Sequence, residues 1–423
     1  MKTTIKKRIE EINSGIVPEG YEKTSFGIFP CDWERDIKFG ELFDFYGGLG
    51  KSREELGDQG VCYLHYGDMH TNAFNKVTYE QYSLLPRYDI ALKGNETFLM
   101  QDGDIAFLDA SEDLEGTSRA VLIDNVNNEP FIAGLHTILA KEKQSVFSKY
   151  YKQYITISQD VKKQFQKLAV GFKVYGLNRE SIKKIKISYP KDEQEQSSIA
   201  EILMQWDKAI ELQEKLIEAY QKSKKYYLNK MFPKKGSNIP EIRFPGFTTP
   251  WEPRKLNQVA LIQKGEQLGK AELVEAGRYY VLNGGMVPSG YSNEFNAESN
   301  TISISEGGNS CGYVALNLER FWSGGHNYTL QNLRIDTNFL FQYLKGIESQ
   351  IMALRVGSGL PNIQKSAIAE IDVAVPKNNE QKCVGQFLTK IDNLITLHQQ
   401  KRDKLLKQRK AMQQYLLTGI VRV

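Results

Sequence analysis

A glycine-rich stretch that ends in lysine and serine is the first part of this sequence that could carry chemistry. Residues 45–52 read Phe-Tyr-Gly-Gly-Leu-Gly-Lys-Ser and end like the loops that hold nucleotide phosphates. That pattern needs glycine where Phe45 stands, at the start of the loop whose backbone N–H groups cradle the phosphates. The similar stretch that begins at Gly265 ends in Lys270-Ala271, without a hydroxyl for magnesium. The sequence therefore argues against an NTP site.

Other catalytic signatures do not occur. The sequence has no Asn-Pro-Pro-Tyr or Asp-Pro-Pro-Tyr of adenine methyltransferases, and no Gly-x-Gly-x-x-Gly cofactor loop. The five histidines form no His-Glu-x-x-His, and His65 and His70 are too far apart to share a helical face. A Ser-His-Asp triad built from distant residues stays open. The interpretation favoured is a chain that binds rather than catalyses, without a metal or cofactor of its own.

The composition is that of an ordinary globular protein. The 423 residues suffice for two or three domains, and 41% of them are hydrophobic. Basic residues number 55 and acidic residues 51, so the net charge of +4 does not by itself indicate nucleic acid. Four scattered cysteines fit a reducing cytoplasm. We expect a cytoplasmic protein, because the N-terminus is unlike a signal peptide and no apolar run reaches about 18 residues.

One long segment occurs twice. Residues 195–231 are repeated as residues 380–416 without a gap, and residue types match along both copies. Each copy begins with Glu-Gln and carries an aspartate, Asp207 or Asp392, at the same place. A proline ends the strand before each copy. The repeat predicts two equivalent helices, each attached to its own globular unit.

Both copies have the periodicity of a coiled coil. Apolar residues recur at steps of four and three, which predicts long helices over 193–231 and 378–417. We expect the helices to pack antiparallel, because a globular unit and a linker separate them. A helix of about 37 residues spans ~55 Å, more than one DNA turn of ~34 Å. A plain dimerisation coiled coil is the alternative. The expected coiled-coil positions are Ile199, Leu203, Trp206, Ile210, Ile217, Val384, Leu388, Ile391, Ile395 and Leu405.

The rest of the chain predicts an α/β (α+β) fold with two similar globular domains, separated by the antiparallel helices in a pseudo-two-fold arrangement. Short β-rich runs at 104–108, 120–123 and 182–189 alternate with turn residues. The expected segments are an N-terminal helix at 1–16 packed near the C-terminal end, a globular unit at 17–190, a long helix at 191–232, a linker at 233–240, a globular unit at 241–376 and a long helix at 377–423.

These features resemble the specificity (S) subunit of type I restriction–modification enzymes. The carrying motif is proline, a short acidic spacer, Glu-Gln, and Ile-x3-Leu-x3-Asp. It stands as Pro190, Glu195, Gln196, Ile199, Leu203 and Asp207, and again as Pro376, Glu380, Gln381, Val384, Leu388 and Asp392. Segments 301–312 and 357–363 are similar to the second target-recognition domain of the family. Residues 171–178 depart from the family's pattern, which weakens the transfer of residue roles there.

The resemblance implies a non-catalytic recognition subunit in a phage-defence enzyme. Each globular unit would lie in the major groove of one half of a bipartite double-stranded DNA site, and the helices would fix the spacer. The helices would also dock two methyltransferase (M) subunits, which carry S-adenosylmethionine and flip the target adenine for N6 methylation. Up to two restriction (R) subunits would supply cleavage driven by ATP and Mg²⁺. The resemblance implies no cofactor on this chain and no membrane.

Two other interpretations stay open. In the first, the chain is the specificity module of a methyltransferase-only system or of another methyltransferase–nuclease system. In the second, it is a scaffold that spaces two binding domains with a coiled coil and does not touch DNA.

DNA contacts are expected from loop residues of particular types. Bidentate base contacts favour Arg, Lys, Asn and Gln, and phosphate contacts favour cations and polar groups in Gly-rich turns. The strongest candidates match between the halves, where Leu49-Gly-Lys51 aligns with Leu268-Gly-Lys270. Trp33 and Trp251, in contrast, are expected in the cores. The DNA-binding candidates are Lys51, Lys270, His136, His326, Lys173, Arg355, Asn309, Asn327 and Asn362.

Overall fold

The chain folds into two compact units in a computed structural model. Unit 1 comprises Met1–Leu212 and Arg402–Val423, and unit 2 comprises Gln213–Lys401. Each long helix contributes one part to each unit. The structure describes residues 2–70, 76–78, 81, 84–111, 116–169, 175–234, 236–269, 272–357, 359 and 361–423.

Two of the helices in the described part of the chain are long. The α-helices are α1 (Lys2–Asn13), α2 (Phe39–Leu42), α3 (Tyr66–His70), α4 (Lys149–Ile155), α5 (Gln159–Leu168), α6 (Arg179–Lys183), α7 (Glu193–Lys230), α8 (Leu256–Val259), α9 (Thr337–Gly346), α10 (Glu348–Ala353), α11 (Lys365–Ala369) and α12 (Asn378–Leu417). Helices α7 and α12 have 38 and 40 residues, which confirms the prediction for both. Helix α1 is shorter than predicted, because Gly15 follows it with a φ of +76°. None of these helices combines the length and the apolar character that a membrane crossing requires.

The strands are short. They are β1 (Tyr21–Lys23), β2 (Ile28–Pro30), β3 (Glu34–Lys38), β4 (Phe43–Gly47), β5 (Val61–Leu64), β6 (Lys76–Thr78), β7 (Arg87–Tyr88), β8 (Ile105–Leu108), β9 (Ala110–Ser111), β10 (Ala120–Asp124), β11 (Phe131–Ala133), β12 (Thr137–Glu142), β13 (Tyr175–Gly176), β14 (Lys186–Tyr189), β15 (Glu252–Lys255), β16 (Leu261–Lys264), β17 (Tyr279–Leu282), β18 (Gly290–Ser292), β19 (Thr301–Ser305), β20 (Val314–Asn317), β21 (Trp322–Ser323), β22 (Asn327–Gln331) and β23 (Asp372–Val375). Strands β8 and β10 were predicted. The strand expected at 182–189 is wrong in its first part, because the Asn178 side chain caps α6 by accepting from Ser181 N.

Units 1 and 2 share one sheet plan. Unit 1 has a main sheet in the order β4-β12-β8-β10-β6 and a smaller sheet β11-β5-β7. Unit 2 has a main sheet β16-β22-β19-β20 and a smaller sheet β18-β17-β21. In both main sheets the first four strands are antiparallel to their neighbours, and β6 is an additional parallel strand in unit 1. The similarity of the two globular parts is therefore structural as well as sequential.

The central strands of unit 1 are apolar throughout because both faces of the sheet are covered. Ile105 and Phe107 of β8 enter one buried cluster, whereas Ala106 and Leu108 enter another. This follows from the alternation of side chains along a strand. A two-stranded sheet, β3-β14 in unit 1 and β15-β23 in unit 2, adds to each core. Trp33 precedes β3 with 2% exposure, as predicted for a core residue, and Trp251 precedes β15 in the same way.

Parts of α7 and α12 pack antiparallel within each unit, as predicted. In unit 1, Arg409 Nε lies 2.9 Å from Asp207 Oδ1. In unit 2, His398 Nδ1 lies 2.8 Å from Gln213 Oε1. Seven of the ten predicted coiled-coil positions are buried, and Trp206, Ile395 and Leu405 are half-buried.

Candidate nucleic-acid interface

A buried glutamine at the start of α7 attaches the globular part of unit 1 to the helix. Gln196 is 0% exposed. Its Oε1 accepts from Ser148 N (2.8 Å), and its Nε2 donates to Pro190 O (2.9 Å) and Val146 O (3.0 Å). Ser148 is the N-cap residue of α4. One side chain therefore holds the start of α4 and the end of the preceding strand against α7.

Two carboxylates of the same motif make further attachments in unit 1. Arg422 binds Glu195 through two N–H groups, at 2.5 and 2.8 Å. Asp207 accepts from Tyr154 OH at 2.7 Å and from Arg409 Nε at 2.9 Å. Burial, and then the Asp207 carboxylate, raise the pKa of Tyr154, so the hydroxyl remains a donor. The motif thus joins the globular part, α7 and the C-terminal part of α12.

Unit 2 repeats these attachments with the second copy of the motif. Gln381 Oε1 accepts from Asp336 N (2.9 Å), and Gln381 Nε2 donates to Pro376 O (2.8 Å). Asp336 is the N-cap residue of α9, as Ser148 is of α4. Glu380 binds Arg243 through two N–H groups, at 2.6 and 2.8 Å.

The second aspartate of the motif is bound in the same way. Asp392 lies 2.5 Å from Lys224 Nζ and accepts from Gln342 Nε2 at 2.7 Å. Each unit thus contains the same three anchors, formed by glutamine, glutamate and aspartate. We call these the helix anchors.

Two candidate loops of unit 1 are tied together by a buried tyrosine. Tyr63 OH accepts from Lys51 N at 3.1 Å and from Leu135 N at 2.7 Å. The loop with Lys51 therefore lies beside the loop with His136. The structure brings these two candidates to the same end of the sheet.

The Lys51 ammonium is already paired. Its Nζ lies 2.8 Å from Glu55 Oε1 and 5.1 Å from the centre of the Tyr88 ring. Glu55 raises the pKa of Lys51, and Lys51 lowers the pKa of Glu55 to about 2. A phosphate would therefore meet a charged lysine that is also bound to a carboxylate.

His136 is held by an acid that the sequence reasoning missed. Its Nδ1 lies 2.9 Å from Asp109 Oδ1, and its ring packs edge-on against Tyr66 at 5.4 Å. The residue has a φ of +57°. Nearly half of the side chain, 47%, is exposed.

His326 has the corresponding environment in unit 2. Its Nδ1 lies 3.4 Å from Glu306 Oε2. Glu306 Oε1 is bound by Lys264 Nζ at 2.7 Å and by Tyr328 OH at 2.9 Å. Burial alone would raise the pKa of Glu306, but these hydrogen bonds and the lysine charge outweigh burial and lower it. Glu306 is therefore a carboxylate at neutral pH.

The backbone places these two acid–histidine pairs equivalently. Asp109 directly follows β8, and His136 directly precedes β12. Glu306 and His326 stand in the same way beside β19 and β22. In each pair the acid donates its N–H to the carbonyl of the histidine, at 3.2 and 2.9 Å. We call them the acid–histidine pairs.

Three other candidates of unit 2 are exposed on neighbouring loops. Asn309 and Asn362 lie on loops that are joined by a bond from Gly308 N to Pro361 O (3.0 Å). Arg355 is exposed close to the second of these loops, and both asparagines are also exposed. The structure thus places these three side chains where they can reach a ligand.

The structure does not support Asn327 as a DNA contact. Its side chain is 3% exposed, and its Nδ2 donates to Ser323 Oγ at 3.2 Å. It is the first residue of β22, and its side-chain amide is hydrogen-bonded within unit 2. The candidates Lys173 and Lys270 lie outside the described residues.

The predicted match between Lys51 and Lys270 is also corrected. Gly48 and Gly265 occupy equivalent places in the two units. Each donates its N–H to the carbonyl of the first residue of the neighbouring strand in its sheet, Thr137 of β12 at 2.9 Å and Asn327 of β22 at 2.8 Å. Counting forward from these glycines, Lys51 corresponds to Leu268. The shared Leu-Gly-Lys letters had shifted the alignment by two positions.

One nucleophile-like pattern escaped the sequence reasoning. Residues 308–312 read Gly-Asn-Ser-Cys-Gly, which has the spacing of a nucleophile elbow. Ser310 lies in a turn between β19 and β20, and its Oγ donates to Gly284 O at 2.6 Å. In the nucleophile elbow the serine stands on a strand-to-helix turn and donates its hydrogen bond to a base. Ser310 has neither in this structure.

Comparison with known proteins agrees with this geometry. The family model of the type I restriction modification DNA specificity domain matches residues 30–221 and 248–407. A protein of Mycoplasma genitalium named as a type I specificity subunit is 35% identical over 155 residues. The match covers 35% of this chain, and the chain spans only 40% of that relative's length.

Two solved structures share the fold. The type I restriction–modification S subunit from M. genitalium has a TM-score of 0.62 at 17% identity, with 95% of this chain and 99% of that chain covered. A chain from a structural study of assembly and conformational transition of the type I R-M system has a TM-score of 0.55 at 13% identity, with 93% and 99% covered. The two family matches cover more than half of the sequence, and this chain therefore belongs to the type I restriction modification DNA specificity domain family.

Proposed function

We propose that this chain is the DNA sequence-specificity subunit of a type I restriction–modification complex. Each unit binds one half of a bipartite double-stranded DNA target. The subunit recruits methyltransferase (M) subunits for adenine-N6 methylation and restriction (R) subunits for cleavage. The observation that carries the proposal is the duplication of the helix anchors, because they attach two equivalent reading units to one pair of helices.

The loops at the acid–histidine pairs support DNA as the ligand. In unit 1 they present Lys51 and His136, and in unit 2 they present His326, Asn309 and Asn362. Cations and amides suit phosphate oxygens and base edges respectively. All of these side chains are on loops at the end of a rigid sheet, where binding residues are commonly found.

Chemistry is assigned to the partners in this proposal. Two M subunits dock on the helices and hold S-adenosylmethionine, and up to two R subunits use ATP and Mg²⁺. This chain contributes recognition and no catalytic group, and the complex works in the cytoplasm. Methylation without restriction would instead indicate a methyltransferase-only system.

Sequencing of N6-methyladenine in the host tests the proposal. We expect one bipartite motif to be methylated when the gene is intact and to lose methylation when the gene is deleted. A mobility shift of duplex DNA by the purified chain with M subunits should show the same motif. Methylation that is unchanged by the deletion would contradict the proposal. The scaffold alternative predicts no shift with or without M subunits.

A further inference from the structure

We propose that the acid–histidine pairs are matched specificity determinants, one for each half-site. The Asp109 carboxylate accepts from Nδ1–H of His136, and Glu306 lies at ion-pair distance from Nδ1 of His326, so that Nε2 of each ring accepts a hydrogen bond from an amino group of adenine or cytosine. Asp109 and Glu306 are positioning residues in this scheme. The inference rests on the proposed function, because it assumes that each unit reads DNA.

The hydrogen bond at Nδ1 decides what Nε2 can do. A carboxylate only accepts, so the Nδ1 atom of His136, 2.9 Å from Asp109 Oδ1, must carry the proton of that bond. In a neutral imidazole the other nitrogen is then an acceptor. Among major-groove base edges, the amino groups N6 of adenine and N4 of cytosine are the donors. An acceptor Nε2 therefore selects these bases against guanine and thymine.

Unit 2 has a longer version of this contact. Glu306 is ionised, and His326 Nδ1 lies 3.4 Å from its Oε2, an ion-pair distance that favours the proton on Nδ1. The backbone of His326 is also held in place, because its N–H donates to Asn283 Oδ1 at 3.1 Å. The His326 side chain is 65% exposed, whereas the Glu306 side chain is 13% exposed. The Glu306 carboxylate is thus largely buried in the unit, and the His326 ring is exposed to solvent.

The main experiment compares His136→Asn with His136→Gln in the intact S–M complex. The asparagine amide can still donate to Asp109 but does not reach the Nε2 position, whereas the glutamine amide does. Methylated duplexes selected from a randomised library are sequenced. For His136→Asn we expect preference at one base pair of one half-site to fall roughly 5- to 100-fold, the range of a good base contact. Glutamine should retain part of that preference.

His326→Asn provides the matched variant, because it should relax one base pair of the other half-site only. Asp109→Asn and Glu306→Gln should weaken discrimination at the same base pairs as the histidine variants. Thermal unfolding of each variant establishes that the fold is kept.

Two results would overturn the inference. Folded histidine variants with unchanged preference at every base pair would remove Nε2 from readout. Folded histidine variants that bind every DNA sequence equally more weakly would place the ring on a phosphate instead. If the wild-type complex selects no DNA sequence, the proposed function itself fails, and the two failures are therefore distinguishable.

Discussion

Two loop residues among the DNA-binding candidates are already bound to acids before any ligand arrives. Lys51 is held by Glu55, and His136 by Asp109. Such partners fix the direction of a long or rotatable side chain. They also compete with a phosphate, so each contact contributes the difference between two interactions rather than a full ion pair.

Lys51→Ala should weaken DNA binding and reduce the salt dependence of binding by about one phosphate contact. Glu55→Gln should have the opposite effect on affinity, because it frees the ammonium from its carboxylate. Lys93→Ala is the control, since Lys93 is a lysine of unit 1 that is exposed. Equal affinities and salt slopes for Lys51→Ala and the control would place Lys51 outside the interface.

Asp104 should make the stability of unit 1 depend on pH. Burial raises its pKa from 3.8 to about 6. The folded state then binds the proton more tightly than the unfolded chain, so the free energy of unfolding decreases as the pH rises from about 4 to about 6. The expected loss is about 2–3 kcal/mol above that range.

Urea unfolding of wild type and Asp104→Asn at several pH values measures this loss. The asparagine variant should lack it while retaining an acceptor for Gln101 N, which donates to Asp104 at 2.8 Å. Asp58→Asn, at an exposed position, serves as the control. A wild-type profile that is level from pH 4 to pH 7 would contradict the prediction.

At this scale the sequence allows residues to be matched between the halves where a residue type repeats. His136 and His326 were matched because both halves contain them, and the structure places them equivalently. Their partners differ, Asp109 in one unit and Glu306 in the other, and each is distant in sequence from its histidine. The repeated Leu-Gly-Lys sequence also led to a wrong alignment, in which Lys51 was matched with Lys270 rather than with Leu268. Hydrogen bonds of the backbone settle such matches, and a single sequence does not contain them.

Helices were the most predictable elements. The bounds of α7 and α12 follow from heptads and from the prolines before them, signals that extend over many residues. The short helix α6 was not predicted, because the start of this five-residue helix depends on a single N-cap hydrogen bond, that of Asn178. The polar motif at the start of each long helix was recognised as a signature, but its packing role was not predicted. The packing role of the motif follows from the burial of Gln196.

Gln196→Leu should destabilise the junction of α4 and α7. The change leaves Ser148 N, Val146 O and Pro190 O without their partner in a buried place, which should cost about 2–4 kcal/mol. Gln194→Leu is the control, because Gln194 is exposed two residues earlier in the same helix. Denaturant unfolding with hydrogen exchange over 146–155 measures the effect. A loss no larger than that of the control would show that the anchor is dispensable.

Units 1 and 2 have the same sheet order, the same helix anchors and the same acid–histidine pairs. Their boundary in α7 follows Leu212, and their boundary in α12 precedes Arg402. Each long helix is therefore shared by the two units. The proposed function gives this sharing a purpose, because the length of the helices then sets the spacing of the half-sites.

Inserting four residues after Leu212, with four more between Lys401 and Arg402, tests this role. The insertion adds about 6 Å to each helix, close to two base pairs of DNA. We expect the methylated motif to keep both half-sites and to gain about two base pairs of spacer. Insertion into α7 alone should abolish methylation, because it moves residues of α7 out of register with the residues of α12 that they contact. Altered half-site sequences with an unchanged spacer would contradict the prediction.

The duplicated helix anchors also bear on how such a chain can evolve. Each globular module ends on the same glutamine, glutamate and aspartate contacts, encoded by two similar stretches of one gene. A crossover between these stretches, or with those of a related gene, replaces a whole module and leaves its attachment intact. Under the proposed function, new combinations of DNA targets can then arise in a single genetic step, without slow readjustment of an interface.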